Sequence, residues 1–246
     1  RKISRIGAVA MATVLTVQGM GIPTAVLAAD KPAVMSSDSD TQMSSEKENV
    51  YVNQYGSTTE RSQNFDDNWR FYLGDASGAE QPTFDDSQWR QLSLPHDYSI
   101  EQEYTQSGEA ESAYLLGGTG WYRKNFTLGK EMEGKKVRID FGGVYMNATV
   151  YVNGQQVGTH PYGYTPFSFD ITDYVKVGQV NTIAVKVDHK TPSSRWYSGS
   201  GIYRSVQLTT TDEVHVDLNG VKVETPKLAD GNQDTNIKTK VLNESE

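Results

Sequence analysis

The run Ser193-Ser194-Arg195-Trp196-Tyr197-Ser198-Gly199-Ser200-Gly201-Ile202-Tyr203-Arg204 holds the residues best suited to meeting a ligand. Two arginines, a tryptophan and two tyrosines surround glycines that permit sharp backbone turns. The run separates residues 182–187 from residues 205–208, both of which read as strands. A plain connection between strands would be shorter and more polar. Guanidinium groups donate hydrogen bonds, and aromatic faces stack on C–H surfaces. Together they suit a flat polyhydroxylated ligand such as a sugar. The same residues also fit a corner in which Trp196 and Tyr203 plug the core and Arg204 pairs with an acid. On residue types alone both readings stand.

A second candidate is His96-Asp97, which follows Pro95 and opens a long polar loop over residues 99–118. Proline pushes Leu94 to extended geometry. An aspartate accepts hydrogen bonds and a histidine can donate one, so the pair could orient a sugar hydroxyl. The alternative is that Asp97 binds backbone amides of its own loop. Asp66-Asp67 and Asp85-Asp86 each lie beside a tryptophan in a turn. They read as caps, not as the two spaced carboxylates that glycosidic cleavage requires. His160, His189 and His215 are scattered and show no metal-ligand spacing. No serine lies in a nucleophile-elbow pattern, and the absence of cysteine removes disulfides, zinc thiolates and thiol nucleophiles together. No catalytic residue, metal ligand or cofactor site is assigned.

These candidates must be positioned by strands. The folded region opens at Asn64, and Trp69, Phe71 and Leu73 alternate onto one face. Residues 84–89 look like a one-turn helix capped by its aspartates. Tyr122, Lys124, Phe126 and Leu128 share one face of a strand, and Val137, Ile139 and Phe141 face inward from the next. Residues 148–152 alternate into Asn153-Gly154, the strongest two-residue hairpin signal. Residues 167–171 and 182–187 alternate again, the latter inward through Ile183, Val185 and Val187. Many short strands with frequent turn signals and no helical periodicity define an all-β antiparallel sandwich or jelly roll. From Glu213, alternating valines on either side of Asn219-Gly220 predict a hairpin that begins another sandwich, cut short at Glu246.

The start reads as an export leader: Arg1, Lys2 and Arg5, then an apolar run, then small residues at Ala28-Ala29. The apolar run is too short for a transmembrane span of about 20 residues. The expected organisation is therefore a leader over 1–29, a disordered polar linker over 30–63, a sandwich over 64–212 and the first strands of a second over 213–246. The formal net charge is −8, and the leader holds basic residues and no acidic ones, so the remainder is more acidic still. An acidic, cysteine-free, exported chain is not a nucleic-acid binder. It fits a secreted or cell-wall-attached bacterial protein.

Five motifs in order resemble the N-terminal sugar-binding jelly roll of glycoside hydrolase family 2. They are Phe84-Asp85-Asp86-Ser87-Gln88-Trp89, Leu94-Pro95-His96-Asp97-Tyr98, Gly120-Trp121-Tyr122-Arg123-Lys124, Val152-Asn153-Gly154 and Arg195 through Arg204. The resemblance extends most to large secreted β-galactosidases, and residues 213–246 are similar to the start of that family's immunoglobulin-like second domain. It implies retaining hydrolysis of terminal β-galactosides by two glutamates on a TIM barrel beyond this chain, with this domain forming one wall of the galactose subsite. It implies substrate contacts at Asp97, beside His96, and from the loop carrying Arg195 and Trp196. That loop differs from intracellular members, which carry an acidic residue upstream of the tryptophan where this chain has Ser193-Ser194-Arg195. Family members use divalent or sodium ions, whose ligands are not identifiable in this sequence. The implied partners are a β-galactoside and the enzyme's own immunoglobulin-like and barrel domains. Other readings are a stand-alone carbohydrate-binding or adhesin module, and the same family with glucuronide or mannoside specificity.

Overall fold

The computed structural model describes residues 52–56, 60–193, 195–226 and 235–245. The expected leader and most of the expected linker lie outside these residues. The described strands are β1 (Asn53–Tyr55), β2 (Ser62–Asn64), β3 (Trp69–Leu73), β4 (Arg90–Leu92), β5 (Gly118–Leu128), β6 (Lys136–Phe141) and β7 (Ala148–Val152). They continue as β8 (Gln155–His160), β9 (Phe167–Asp170), β10 (Val180–His189), β11 (Val206–Thr211), β12 (Val214–Glu224) and β13 (Asn236–Asn243).

Alternation explains the layers. Along β5, Tyr122, Lys124, Phe126 and Leu128 turn inward and are buried. They meet Val137, Ile139 and Phe141 of β6, and Val206 and Leu208 of β11, in one continuous core. The larger sheet runs β4-β3-β5-β10-β7-β8, with β1 added in parallel to β5; the smaller runs β2-β11-β6-β9. The result is the expected all-β sandwich. The opposite face of β5 is covered too: Trp121 packs with Ala79, Trp89 and Ala184 in a smaller cluster. Asn153-Gly154 turns β7 into β8 with both residues at positive φ, 51° and 82°, as a type I′ turn requires.

Three expectations change. First, the segment read as linker through residue 63 ends in ordered strands. Tyr55 of β1 is buried against Phe65 and Phe126, so its ring offsets the ordering entropy that the surrounding polar residues cannot. Second, residues 84–89 form turns without a helix. Asp85 Oδ1 makes the capping bond to the Ser87 amide at 3.0 Å, but only one turn follows, closed by the Trp89 amide on Asp86 O at 2.9 Å, because β4 begins at Arg90. Third, Asn219-Gly220 is not a hairpin. β12 runs on through it, pairing Val216 with Val241 and Val221 with Thr239 across a register shift, and Asn219 has φ 57°. The positive φ that would make a turn is absorbed as a bulge, because the partner strand comes from residues 236–243.

Candidate functional site

The end of β4, the end of β10 and the start of β11 deliver two long connections to one end of the sandwich. Residues 93–117 leave β4, and residues 190–205 join β10 to β11. Asp97 ties them together. Its Oδ1 accepts the amides of Ser99 at 2.9 Å and Ser200 at 2.8 Å, and its Oδ2 accepts the Tyr197 hydroxyl. Burial, then the bond to Asp97, raises the Tyr197 hydroxyl pKa, so it stays a donor. Backbone bonds reinforce the seam, with the His96 amide donating to Ile202 O at 2.8 Å and the Tyr98 amide to Ser200 O at 3.0 Å. Glycine is required here for space. Gly199 has φ 71° and Gly201 φ 110°. A Cβ on Gly199 would lie 2.6 Å from Asp97 Oδ2, and one on Gly201 would collide with the Tyr122 hydroxyl.

His96 is turned into the protein, its side chain only 9% exposed. Nδ1 lies 2.7 Å from the Tyr122 hydroxyl, and the ring meets Phe71 edge-on at 4.6 Å. Nε2 lies 3.2 Å from Glu101, which Arg90 grips with bonds of 3.0 and 2.6 Å. Burial lowers the His96 pKa, keeping the ring neutral at physiological pH. With both ring nitrogens engaged by the protein, His96 supports the loop that presents Asp97 instead of offering a donor of its own.

His189, which sequence reasoning set aside, anchors the other connection. Its Nδ1 lies 2.5 Å from Ser200 Oγ and its Nε2 2.9 Å from Ser193 Oγ, so one ring spans both arms of the loop. Ser200 Oγ is also 2.5 Å from Ser99 Oγ, which donates to Leu116 O at 2.9 Å. Burial depresses the His189 pKa as well. A signal was available. Extending the inward alternation Ile183, Val185, Val187 by one step reaches His189. Ser99, Ser200 and Tyr197 carry no comparable pattern, because their partners lie about a hundred residues away along the chain.

Arg195 and Trp196 sit at the outer turn of this loop. Both are exposed, and Trp196 Nε1 donates to the Tyr164 hydroxyl at 3.0 Å. The return half behaves differently. Ile202 is buried, Tyr203 donates to Gly163 O at 2.8 Å, and no carboxylate pairs with Arg204 among the described residues. The loop is therefore a structural corner on its return side and an exposed rim on its outgoing side. The structure brings Asp97, Tyr197, Arg195 and Trp196 to one rim and places His96 beneath it. Among the described residues, no group of three or more His, Asp or Glu side chains could hold a metal ion.

The arrangement is a rim of polar and aromatic side chains at one end of a β-sandwich. The family described as "Glycosyl hydrolases family 2, sugar binding domain" matches residues 62–212, and the chain belongs to glycosyl hydrolase family 2. A protein named "Beta-galactosidase BoGH2A" from Bacteroides ovatus is 47% identical over 194 residues, covering 77% of this chain and 23% of that protein. A beta-glucuronidase from Formosa agariphila is 32% identical over 205 residues, covering 74% of this chain and 21% of that one. A solved structure of a family 2 glycosyl hydrolase from Bacteroides cellulosilyticus superposes with a TM-score of 0.72 at 42% identity, covering 74% of this chain and 24% of that one. The chain thus spans less than a quarter of the length of these relatives.

Proposed function

We propose that this chain is the sugar-binding front of an exported β-galactosidase. It supplies one wall of the pocket that holds a terminal β-galactoside, while the catalytic carboxylates lie on a barrel outside this chain. The observation that carries the reading is the shared rim of Asp97, Tyr197, Arg195 and Trp196. An ionised carboxylate offers about four lone-pair sites. The Ser99 and Ser200 amides and the Tyr197 hydroxyl use three of them. The fourth is left for a sugar hydroxyl, on a carboxylate already held in place. Arg195 brings hydrogen-bond donors to the same rim, and Trp196 brings an aromatic face. The basic and apolar start of the sequence supports export, and the first secreted residue is expected at Asp30. N-terminal sequencing of culture protein that retained Arg1 would refute that.

The test is Asp97→Ala in the full-length enzyme. Loss of a buried polar contact should lower kcat/KM on a β-galactoside by about 1–3 kcal/mol, or roughly five- to 150-fold. Unchanged kinetics in a folded variant would remove Asp97 from the site. A second reading, β-glucuronide specificity, is supported by the glucuronidase relative and by the exposed Arg195 guanidinium, which suits a substrate carboxylate. Comparing p-nitrophenyl β-galactoside with p-nitrophenyl β-glucuronide separates the two.

A further inference from the structure

The exposed aromatic surface continues beyond the four rim residues. Trp196 is 61% exposed, Tyr162 57% and Tyr164 36%. These rings are fixed in relation to one another. Trp196 Nε1 is bound to the Tyr164 hydroxyl. The Tyr164 ring meets the buried Tyr145 edge-on at 5.2 Å, and Tyr162 meets Tyr164 at 5.6 Å. The Tyr203 hydroxyl holds Gly163 O, tying loop 161–166 to the return half of the 193–204 run. Contiguous exposed aromatics mark recognition surfaces, and rings already held in place lose little further freedom when a ligand arrives.

We propose that Tyr162, Tyr164 and Trp196 form an aromatic shelf that seats a further saccharide unit, so that the natural substrate is an oligosaccharide. The inference rests on the reading of the rim as a sugar wall, and it names the substrate class of that wall. The order of residues carries it. Asp97 binds Tyr197, Trp196 follows in sequence, Trp196 binds Tyr164, and Tyr164 contacts Tyr162. A carboxylate suited to sugar hydroxyls thus stands at one end of a path of exposed rings, Tyr162 and Tyr164 meeting edge to face. A pyranose stacks its C–H face on such a ring and turns its hydroxyls outward, where the phenol oxygen of Tyr162 can donate or accept. A monosaccharide with a small leaving group would reach the carboxylate and leave the far end of the shelf uncovered.

The experiment compares kcat/KM of the full-length enzyme on a β-galactosyl-ended tetrasaccharide with that on p-nitrophenyl β-galactoside. In Tyr162→Ala the ratio of the two should fall about tenfold, mainly through KM of the tetrasaccharide, as loss of one aromatic contact predicts. Tyr164→Phe keeps the ring and removes only the acceptor for Trp196, so a smaller fall of about threefold is expected. An unchanged ratio in both variants overturns the shelf. Equal losses on both substrates with a lowered melting temperature also overturn it, because the rings would then be packing against another part of the protein. If the wild-type enzyme cleaves no β-galactoside, the galactoside reading fails. The shelf is then judged by the same ratio on a β-glucuronosyl-ended tetrasaccharide and its p-nitrophenyl counterpart.

Discussion

Two regions bury polar groups beside aromatic rings and put them to opposite uses. On the outer flank of β5, the Arg123 guanidinium is almost wholly buried. Nε donates to Asp86 Oδ2 at 2.7 Å, Nη1 donates to Ala79 O and to Gln81 O at 3.1 Å, and the group lies over the Phe84 ring at 5.4 Å. Arg70 Nε adds a second cation 3.7 Å from Asp86. These bonds hold the 74–89 segment down on the sheet. At the rim, Asp97, Ser99, Ser200 and His189 form a network of similar density, and it stops short of using everything. Asp97 keeps an accepting site, and Arg195 and Trp196 stay exposed. The rim therefore differs from the flank in that its network holds the loops in place while side chains at its edge face solvent.

The largest break in this comparison is expected on the flank. Asp86→Ala leaves a buried guanidinium with carbonyl partners only, and removing one member of a buried ion pair costs about 3–5 kcal/mol. Urea unfolding measures it, and a loss under about 1 kcal/mol would show that the carbonyls alone hold Arg123. Sugar affinity of the folded protein should be unaffected, since Asp86 lies outside the rim.

A smaller effect with a different signature is expected at the rim. His189→Ala removes one ring that spans Ser193 and Ser200, costing about 1–3 kcal/mol of stability. It should also raise KM by freeing the arm that carries Arg195 and Trp196. His189→Gln, which can both donate and accept, should recover part of the KM effect. A purely structural histidine would lower stability and leave KM unmoved. The pH dependence has a defined sign. Burial depresses the His96 and His189 pKa values, so the unfolded chain binds protons first as pH falls through about 6.5. The contribution of these two histidines is therefore full above that pH and declines below it, and His189→Ala should make the decline shallower. An equally steep acid limb in the variant would assign the dependence to other groups.

Much of this was legible in the sequence, and the reasons for success and failure are physical. Period-two alternation identified the inward residues of β5, β6 and β10, because a sandwich core enforces it. Asn153-Gly154 was legible because two positive φ values in a row admit few residue pairs. The same dipeptide at Asn219-Gly220 misled, because a bulge in a continuous strand uses the positive φ of Asn219 alone, and the partner strand decides between bulge and turn. Asp97 and the Arg195-Trp196 pair stood out by residue type and motif order, and the Tyr197 bond to Asp97 places them at the same end of the sandwich. The inward turn of His96 was not, because Tyr122 and Glu101, which hold its two nitrogens, arrive from elsewhere in the chain. Tyr55 was hidden in a polar stretch, and its burial depends on Phe65, Phe126 and the amine of Lys124.

That amine sharpens the comparison within a single strand. Lys124 follows Arg123 on β5 and points to the opposite face, into the core. Its Nζ donates to the Tyr55 hydroxyl at 2.7 Å and to Phe65 O at 2.9 Å, and it lies 3.9 Å from the centre of the Phe65 ring. Arg123 has a carboxylate directly bound, whereas Lys124 has two neutral oxygens and ring faces. Burial pulls the Lys124 pKa from 10.5 down to about 7, against a smaller opposing pull from Asp67 and Asp66. Between those two values the unfolded chain binds more protons at this site than the folded one, so stability rises with pH across the window. Lys124→Met keeps a flexible chain in the core. It leaves Phe65 O with its bond from Trp69 Nε1 at 2.9 Å, so no backbone acceptor is orphaned. The wild-type protein should gain on the order of 2 kcal/mol between pH 7 and pH 9 relative to Lys124→Met, since each pH unit inside the window is worth about 1.4 kcal/mol. Urea midpoints at the two pH values measure it. Parallel curves for the two proteins would mean that Lys124 stays charged when folded, with the aromatic faces and Tyr55 compensating the cation as fully as Asp86 compensates Arg123.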